Sequence, residues 1–480
     1  MNVKDFKVKS SRWLIVAMAG TRILTLNVAA EDTSEAIQEL KRQIQALTEK
    51  VNDLEFQQMN AAYQQQQKAG TDAQKAAEEQ KAQKATPFIT AGADGFSLQS
   101  ADTNFTLNLH GYGQVDSRYY ASAAPAKDTF TIRRLRAIAS GTVYHDFDYY
   151  LQTEFGSGFT STTTNNSFLQ DAYLNVHYFP EFQVQAGKMK PPLSLEWVPS
   201  DQYLWFVERG FPSELVPNRD VGAIVHGDLF SGALSYYAGA FNGVPDGGSG
   251  DAEVVGNEKD VVSRIFALPF KNTDIVPLQK FGIGLGSSYG LQPGQATPSF
   301  ATVARQTFFS YSNNVSEAGQ HLRLDPQAYY YWGPLGLYGE YVVSDEKFKV
   351  ADKNPAEANF HNTAWDIVGS CFLTGEDNNF AVLPDVRAPL RFNGSGWGAF
   401  QLAARFGQIS LDPDAFPLYA VKGSAQGATS WSIALNWYLN RNVKCIFEYS
   451  NTTFDGGSKT PGSVTCQTEQ ALLGRLQFGF

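Results

Sequence analysis

Methionine is nearly absent from this 480-residue chain, with four residues, and cysteine is scarce, with three. Cys371, Cys445 and Cys466 stand far apart and lack the paired spacing of a zinc site or a disulfide framework, so neither organises the fold. Charged side chains make up only 18% of the residues, and the net charge is -10. That balance excludes general affinity for nucleic acid, which needs clustered Lys and Arg to neutralise phosphates. No stretch approaches the ~18 uninterrupted apolar residues of a membrane-spanning helix. If this chain crosses a membrane, strands must do it. What is plentiful is Gly, with 42 residues, and Phe, with 34, a mixture suited to many strands and turns rather than to packed helices.

Residues 1–30 carry the marks of an export signal. Lys4, Lys7, Lys9 and Arg12 form a basic start, Trp13 to Gly20 an apolar run, and Val28-Ala29-Ala30 a small-residue cleavage site, with Arg22 as an awkward charge. Residues 31–86 then read as a coiled coil and polar tether. Ile37, Leu40, Ile44, Leu47, Val51 and Leu54 recur at alternating spacings of three and four, the a/d seam along which helices pair. The seam fades at Gln58 and Ala61, which leaves the oligomer number open, and a Gln-, Ala- and Lys-rich stretch runs on to a break at Pro87.

From Phe105 the period changes to two. Leu107, Leu109, Val115 and Tyr119 fall on one side, and Asn108, His110, Gln114, Asp116 and Arg118 on the other. The pattern recurs in roughly sixteen segments of about ten residues, joined alternately by tight turns and by longer polar loops. His145 to Asp148, Phe230 to Gly232 and Gly333-Pro334 are such turns, and 243–260 and 292–320 such loops. The expectation is an all-β transmembrane barrel over 87–480, with about 16 antiparallel strands and both ends on the periplasmic side. Closure follows because an open edge in lipid would strand polar groups at several kcal/mol each. The stretch 375–396 breaks the pattern, being a long connection where a short turn is expected. The ending, with Leu472, Leu476, Phe478 and Phe480 on one side, resembles an outer-membrane assembly signal, which makes the assembly machinery an expected partner.

Several blocks follow one another in a specific order. They are Ile132-Arg133-Arg134-Leu135-Arg136 with Gly141 to Tyr144 and Asp146 to Tyr149, then Asp171 to Leu174, Gly187 to Glu196, Phe206 to Arg209, Pro217 to Gly222, Leu373 to Glu376 and Leu435 to Asn440. Together they resemble the phosphate-selective porin O and P family over essentially all of 105–480. The resemblance implies a homotrimer of sixteen-stranded barrels, in some members with an N-terminal coiled coil. It also implies passive passage of small anions such as phosphate or polyphosphate. A non-selective porin, or a tether in which the coiled coil contacts the cell wall, are the alternatives.

Alternation sorts the charges of such a barrel. Arg118, Arg134, Arg136, Arg323, Arg405, Lys444 and Arg475 share the wet face and are expected to line the lumen and bind anions, since a charge facing lipid near the midplane costs roughly 2–4 kcal/mol. Asp116, Glu154, Asp171, Asp325, Glu340 and Glu448 share that face and neutralise part of it. The segment from Trp197 to Asp220 is expected to fold inward as a constriction. Pro199, Pro212 and Pro217 stiffen it, Tyr203, Trp205, Phe206 and Phe211 pin it, and Arg209 and Arg219 either face the opening or pair with Glu208, Glu214 and Asp220. Lys188 and Lys190 share parity with the outward Val184 and Ala186, so they reach the lumen only through a bulge after Gly187. The family resemblance implies basic residues there. Arg133 has the same parity problem and is expected at the outer rim, gathering anions.

Catalysis finds no support. His110, His145, His177, His226, His321 and His361 are scattered, with neither an i,i+4 zinc pair nor a nucleophile elbow. Gly282 to Gly286 alternates as a strand and precedes no helix. No catalytic residue, metal or cofactor is therefore expected.

Overall fold

Alternating segments of this length bury neither face by themselves, and their backbone groups need partners on both edges. In the computed structural model, which describes residues 32–84, 86–121, 127–156, 168–250, 257–351, 357–458 and 468–480, sixteen strands meet that need by closing on themselves. In chain order they are β1 (Thr106–Tyr120), β2 (Thr129–Val143), β3 (Phe147–Glu154), β4 (Leu169–Phe179), β5 (Phe182–Met189), β6 (Asp220–Leu229), β7 (Leu234–Phe241) and β8 (Asp260–Ala267). They continue as β9 (Phe281–Leu291), β10 (Val315–Trp332), β11 (Leu335–Val350), β12 (Glu357–Phe372), β13 (Ala399–Ser410), β14 (Ala425–Tyr438), β15 (Val443–Gly456) and β16 (Glu469–Gly479). Each is antiparallel to the next, and β16 returns to β1 with Gly479 opposite Tyr112 and Ala471 opposite Tyr120. No edge is left unpaired in this cycle, as lipid requires. A hairpin of Phe88–Gly92 and Gly95–Gln99 extends the ladder beside the start of β1, with Phe96 opposite Leu109.

The N-terminal unit is one α-helix, Asp32–Lys84, ending just before Pro87 as a proline demands. Its apolar seam is uncovered, with Ile37 57% and Leu47 63% exposed. The expected export signal, residues 1–30, and Cys466 lie outside the described residues.

Turns and loops alternate around the barrel. At the short end, Tyr144 and His145, and Phe230 and Ser231, take positive φ, which gives a tight reversal whose twist matches the strands. Leu373–Gly398 is the long exception there, and the fold accounts for it. The segment tucks into the barrel mouth, where Phe380 stacks on Tyr329 at 5.0 Å, Asn378 Nδ2 donates to Ser370 Oγ at 2.7 Å, and Val386 packs with Phe372 and Tyr438.

The core is not between layers but inside the barrel. Pro191 and Pro192, which have no N–H to continue the ladder, end β5 and release the chain inward. Leu193, Leu195, Phe206, Val207, Phe211 and Leu215 of this segment are then almost completely buried in the lumen. At about 1.5–3 kcal/mol for each such side chain, burial is large enough to keep the segment inside. From the long-loop end, Phe300, Phe308, Phe309 and Tyr311 of the β9–β10 loop pack beside Phe348 and Phe360 as a buried aromatic cluster.

Candidate constriction site

The segment between β5 and β6 is held by side chains from the wall opposite its entry. Glu340 accepts from Leu195 N at 2.7 Å and Ser194 Oγ at 2.9 Å, and Glu448 accepts from Val207 N at 2.8 Å. Arg405 donates to the Glu208 carbonyl at 2.9 Å, and Lys444 to those of Leu204 and Gln202 at 2.8 and 3.0 Å. Lys190 donates to the carbonyls of Pro199 and Trp197 at 2.7 and 2.8 Å. Arg405 also lies over the Phe206 ring at 4.3 Å, and Arg209 over Trp197 at 4.4 Å. These contacts satisfy the polar backbone of a non-regular segment that would otherwise be buried unpaired.

Five residues expected to bind anions are thereby placed elsewhere. Lys190, Arg405 and Lys444 hold the segment's carbonyls. Arg323 is buried against Asp246, at 2.7 Å, and the Val244 carbonyl. Arg475 forms a two-pronged pair with Asp116 at 2.7 and 2.8 Å. None of the five lines the large cavity beside the segment. Parity sends Arg323, Arg405, Lys444 and Arg475 inward, Lys190 turns inward against its parity, and each meets a protein partner there.

That cavity has a volume of about 710 Å³. Its lining includes eight cationic residues, Arg118, Arg133, Arg134, Arg136, Lys188, Arg209, Arg219 and Arg305, against five carboxylates, Glu154, Asp201, Glu208, Glu214 and Asp246. Two of the carboxylates are hubs. Glu208 takes Arg133 at 2.5 Å, Arg118 at 3.0 Å and Arg134 at 3.4 Å. Asp201 takes Arg136 and Arg209, with Arg134 at 3.3 Å. Arg136 also reaches Glu154 at 2.8 Å, and Arg219 pairs with Asp171 at 3.2 Å. Both hubs sit on the inserted segment. Burial alone would push the Asp201 carboxyl up, but the guanidiniums of Arg134, Arg209 and Arg136 outweigh it and hold it well below the usual carboxylate range. The same opposition, with Arg133, Arg134, Arg475 and Arg118 as the cations, holds Glu208 down. Arg118 keeps a buried Nε donor without a hydrogen-bond partner.

Two residues reach the cavity through local backbone departures. Between Gln114 and Val115 the β1–β2 register slips by one residue, opposite Arg133, so that Arg133 joins Arg134 on the Glu208 side instead of standing at the outer rim. Gly187 adopts a φ of 134°, a conformation closed to residues with a Cβ, which here would meet the Ala172 carbonyl at 2.2 Å. Lys188, just beyond it, is buried, lines the cavity and donates to the Leu169 carbonyl at 2.8 Å. The expected bulge is absent there, and the glycine conformation does its work.

Sequence reasoning missed Arg305, Arg264 and Asp246. Arg305 stands at a positive-φ position of the β9–β10 loop and pairs with Glu214 at 3.3 Å, where alternation has nothing to say. Arg264 points inward from β8 to Gln327, flanked by Val262 and Phe266, whose apolar character disguised that face as lipid-directed.

The model of the family described as phosphate-selective porin O and P matches residues 104–480. Among solved structures, the outer membrane channel DcaP of Acinetobacter baumannii is 10% identical with a TM-score of 0.52, covering 82% of this chain and 100% of that one. The anion-selective porin from Comamonas acidovorans is 10% identical with a TM-score of 0.47, covering 78% of this chain and 100% of that one. The trimer form of OmpT of Vibrio cholerae is 11% identical with a TM-score of 0.46, covering 78% and 99%. A search of curated proteins returned no match. Identities this low speak for the fold alone. With a closed sixteen-strand barrel and a family match across it, the chain belongs to the phosphate-selective porin O and P family and is an outer-membrane channel for passive diffusion.

Proposed function

We propose that the channel prefers small anions, phosphate-like ones above all, and that the cavity beside the inserted segment is where they are selected. The observation that carries this reading is the excess of eight cationic over five anionic residues around one cavity. Arginine suits the task because its planar, permanently charged fork matches phosphate oxygens in pairs. The hub carboxylates pre-order that array without cancelling it, since Asp201 faces three guanidiniums and Glu208 four, with Arg134 common to both. Several weak sites along Arg118, Arg133, Arg136 and Arg219 let an anion exchange part of its hydration and still move on. The test is the reversal potential of the purified protein in a planar bilayer under a potassium chloride gradient, followed by added phosphate. Chloride preference with block of the chloride current by phosphate supports the reading. Cation preference overturns it, and anion preference without block reduces it to an unspecific anion pore.

The same reading makes the protein a homotrimer whose N-terminal helices pair on the periplasmic side. The uncovered seam from Ile37 to Leu54 supports this, because six exposed branched side chains in a/d register are stable in water only against another helix. Deleting residues 31–86 and weighing the particle in detergent tests whether the helix assembles the trimer.

A further inference from the structure

We propose that the chain holds a divalent transition-metal site inside the barrel, built on His321 of β10 and Glu346 of β11 with Glu317 beside them. These two strands pair so that His321 lies opposite Glu346. The side chains are sealed from solvent: His321 is 0%, Glu317 1% and Glu346 2% exposed. Nε2 of the imidazole is engaged by Ser344 Oγ at 2.9 Å and faces Asp246 Oδ1 at 3.4 Å. A carboxylate on one ring nitrogen fixes the tautomer and leaves the other nitrogen's lone pair for a metal. That other nitrogen, Nδ1, has no hydrogen-bond partner and stands 3.6 Å from Glu346 Oε1. Donors about 2.1 Å from a tetrahedral ion lie about 3.4 Å apart, so this pair is already close to a ligand spacing.

The charges point the same way. Both carboxylate oxygens of Glu346 and both of Glu317 are buried without a hydrogen-bond partner, and the two groups face each other. Arg323, the nearest guanidinium, is committed to Asp246 at 2.7 Å and Asp260 at 3.5 Å. Buried carboxylates that face one another need either a shared proton or a cation between them, and an imidazole nitrogen with a free lone pair beside them favours the cation. Asp246, His321 and Glu346 each place a donor atom within 4.8 Å of the other two. One imidazole with carboxylates is a donor set suited to Zn²⁺ or Mn²⁺ rather than to an all-oxygen ion. Entry would be from the selection cavity, whose wall at this point is the Asp246 side chain. A bound ion would clamp the β7–β8 loop, through Asp246, to strands β10 and β11.

Full-length protein refolded in detergent, stripped with a chelator and dialysed against Zn²⁺, tests this by elemental analysis. The expected result is about one Zn²⁺ per chain, weakened at least ~10-fold by Glu346→Gln and by Glu317→Gln. His361→Ala, which removes an exposed His–Asp pair elsewhere, is expected to leave it unchanged. Heat-modifiable gel mobility shows whether each variant folds, and if one glutamine variant does not, the other is read. Substoichiometric zinc in the wild type overturns the proposal, as does full binding in the folded glutamine variants, because a shared proton would then be the cation. The readout is metal content, so it is independent of whether the pore prefers anions.

Discussion

The two sides of the lumen are built from the same alternating strand and end in opposite employment. On one wall, β1, β2 and β5 present Arg118, Arg133, Arg134, Arg136 and Lys188 to an open cavity. On the other, β11, β13 and β15 present Glu340, Arg405, Glu448 and Lys444 to the backbone of the inserted segment. Inward charges of both signs thus border an open cavity on one side and peptide groups on the other. The difference teaches that a lumen-facing charge in a porin is not by itself a pore charge. Its role depends on what crosses the barrel in front of it.

Removing an anchor is expected to disturb this comparison most. Glu340→Ala leaves the Leu195 N–H and the Ser194 hydroxyl buried without their acceptor, a loss of about 1–3 kcal/mol for each unsatisfied group. The inserted segment should loosen, raising single-channel conductance and its noise while lowering the thermal midpoint. Unchanged conductance would mean that the two walls do not differ as described. Next in size is the cationic wall. Arg118→Ala combined with Arg133→Ala removes two of the guanidiniums on Glu208 and should weaken phosphate block roughly tenfold, equivalent to about 1.4 kcal/mol, and shift the reversal potential toward zero. Lys444→Met on the anchoring wall should alter conductance with little change in ion preference, and a loss of preference as large as that of the double arginine variant would erase the distinction.

The smallest effect expected is that of pH. Asp201 and Glu208 are held below the carboxylate range in the folded channel, so their contribution to stability is present above their unfolded values, near 4, and fades only as pH falls through the depressed folded values. The two hubs should accordingly contribute no change in conductance or ion preference from about pH 8 to about pH 5, with their loosening confined to stronger acid. Recording wild type beside Asp201→Asn and Glu208→Gln checks it, and a transition between pH 5 and 7 that these variants abolish would show that the hubs are not saturated by arginine.

Much of the barrel was legible beforehand because its physics is local. A period of two and the turn residues between the segments are properties of neighbouring residues. The inserted segment was legible too, since Trp197 to Asp220 is too long for a turn and its Pro199, Pro212 and Pro217 cannot pair in a ladder. Arg133 was not, and Lys188 was legible only through an expected bulge that the structure replaces. Their direction depends on a one-residue slip against β1 and on the φ of Gly187, and neither alters the hydrophobic pattern. The stretch 375–396 resisted reading because its partners, Tyr329 and Ser370, lie on strands already assigned to the wall.

By itself the amino-acid order determined that apolar and polar side chains alternate over sixteen spans, which in lipid leaves closure as the way to pair every backbone group. Only the tertiary structure decided which inward charges remain open to a passing ion. That decision rests on pairs such as Lys444 with Leu204 and Arg133 with Glu208, far apart in the chain, and a periodicity carries no record of what stands across the lumen.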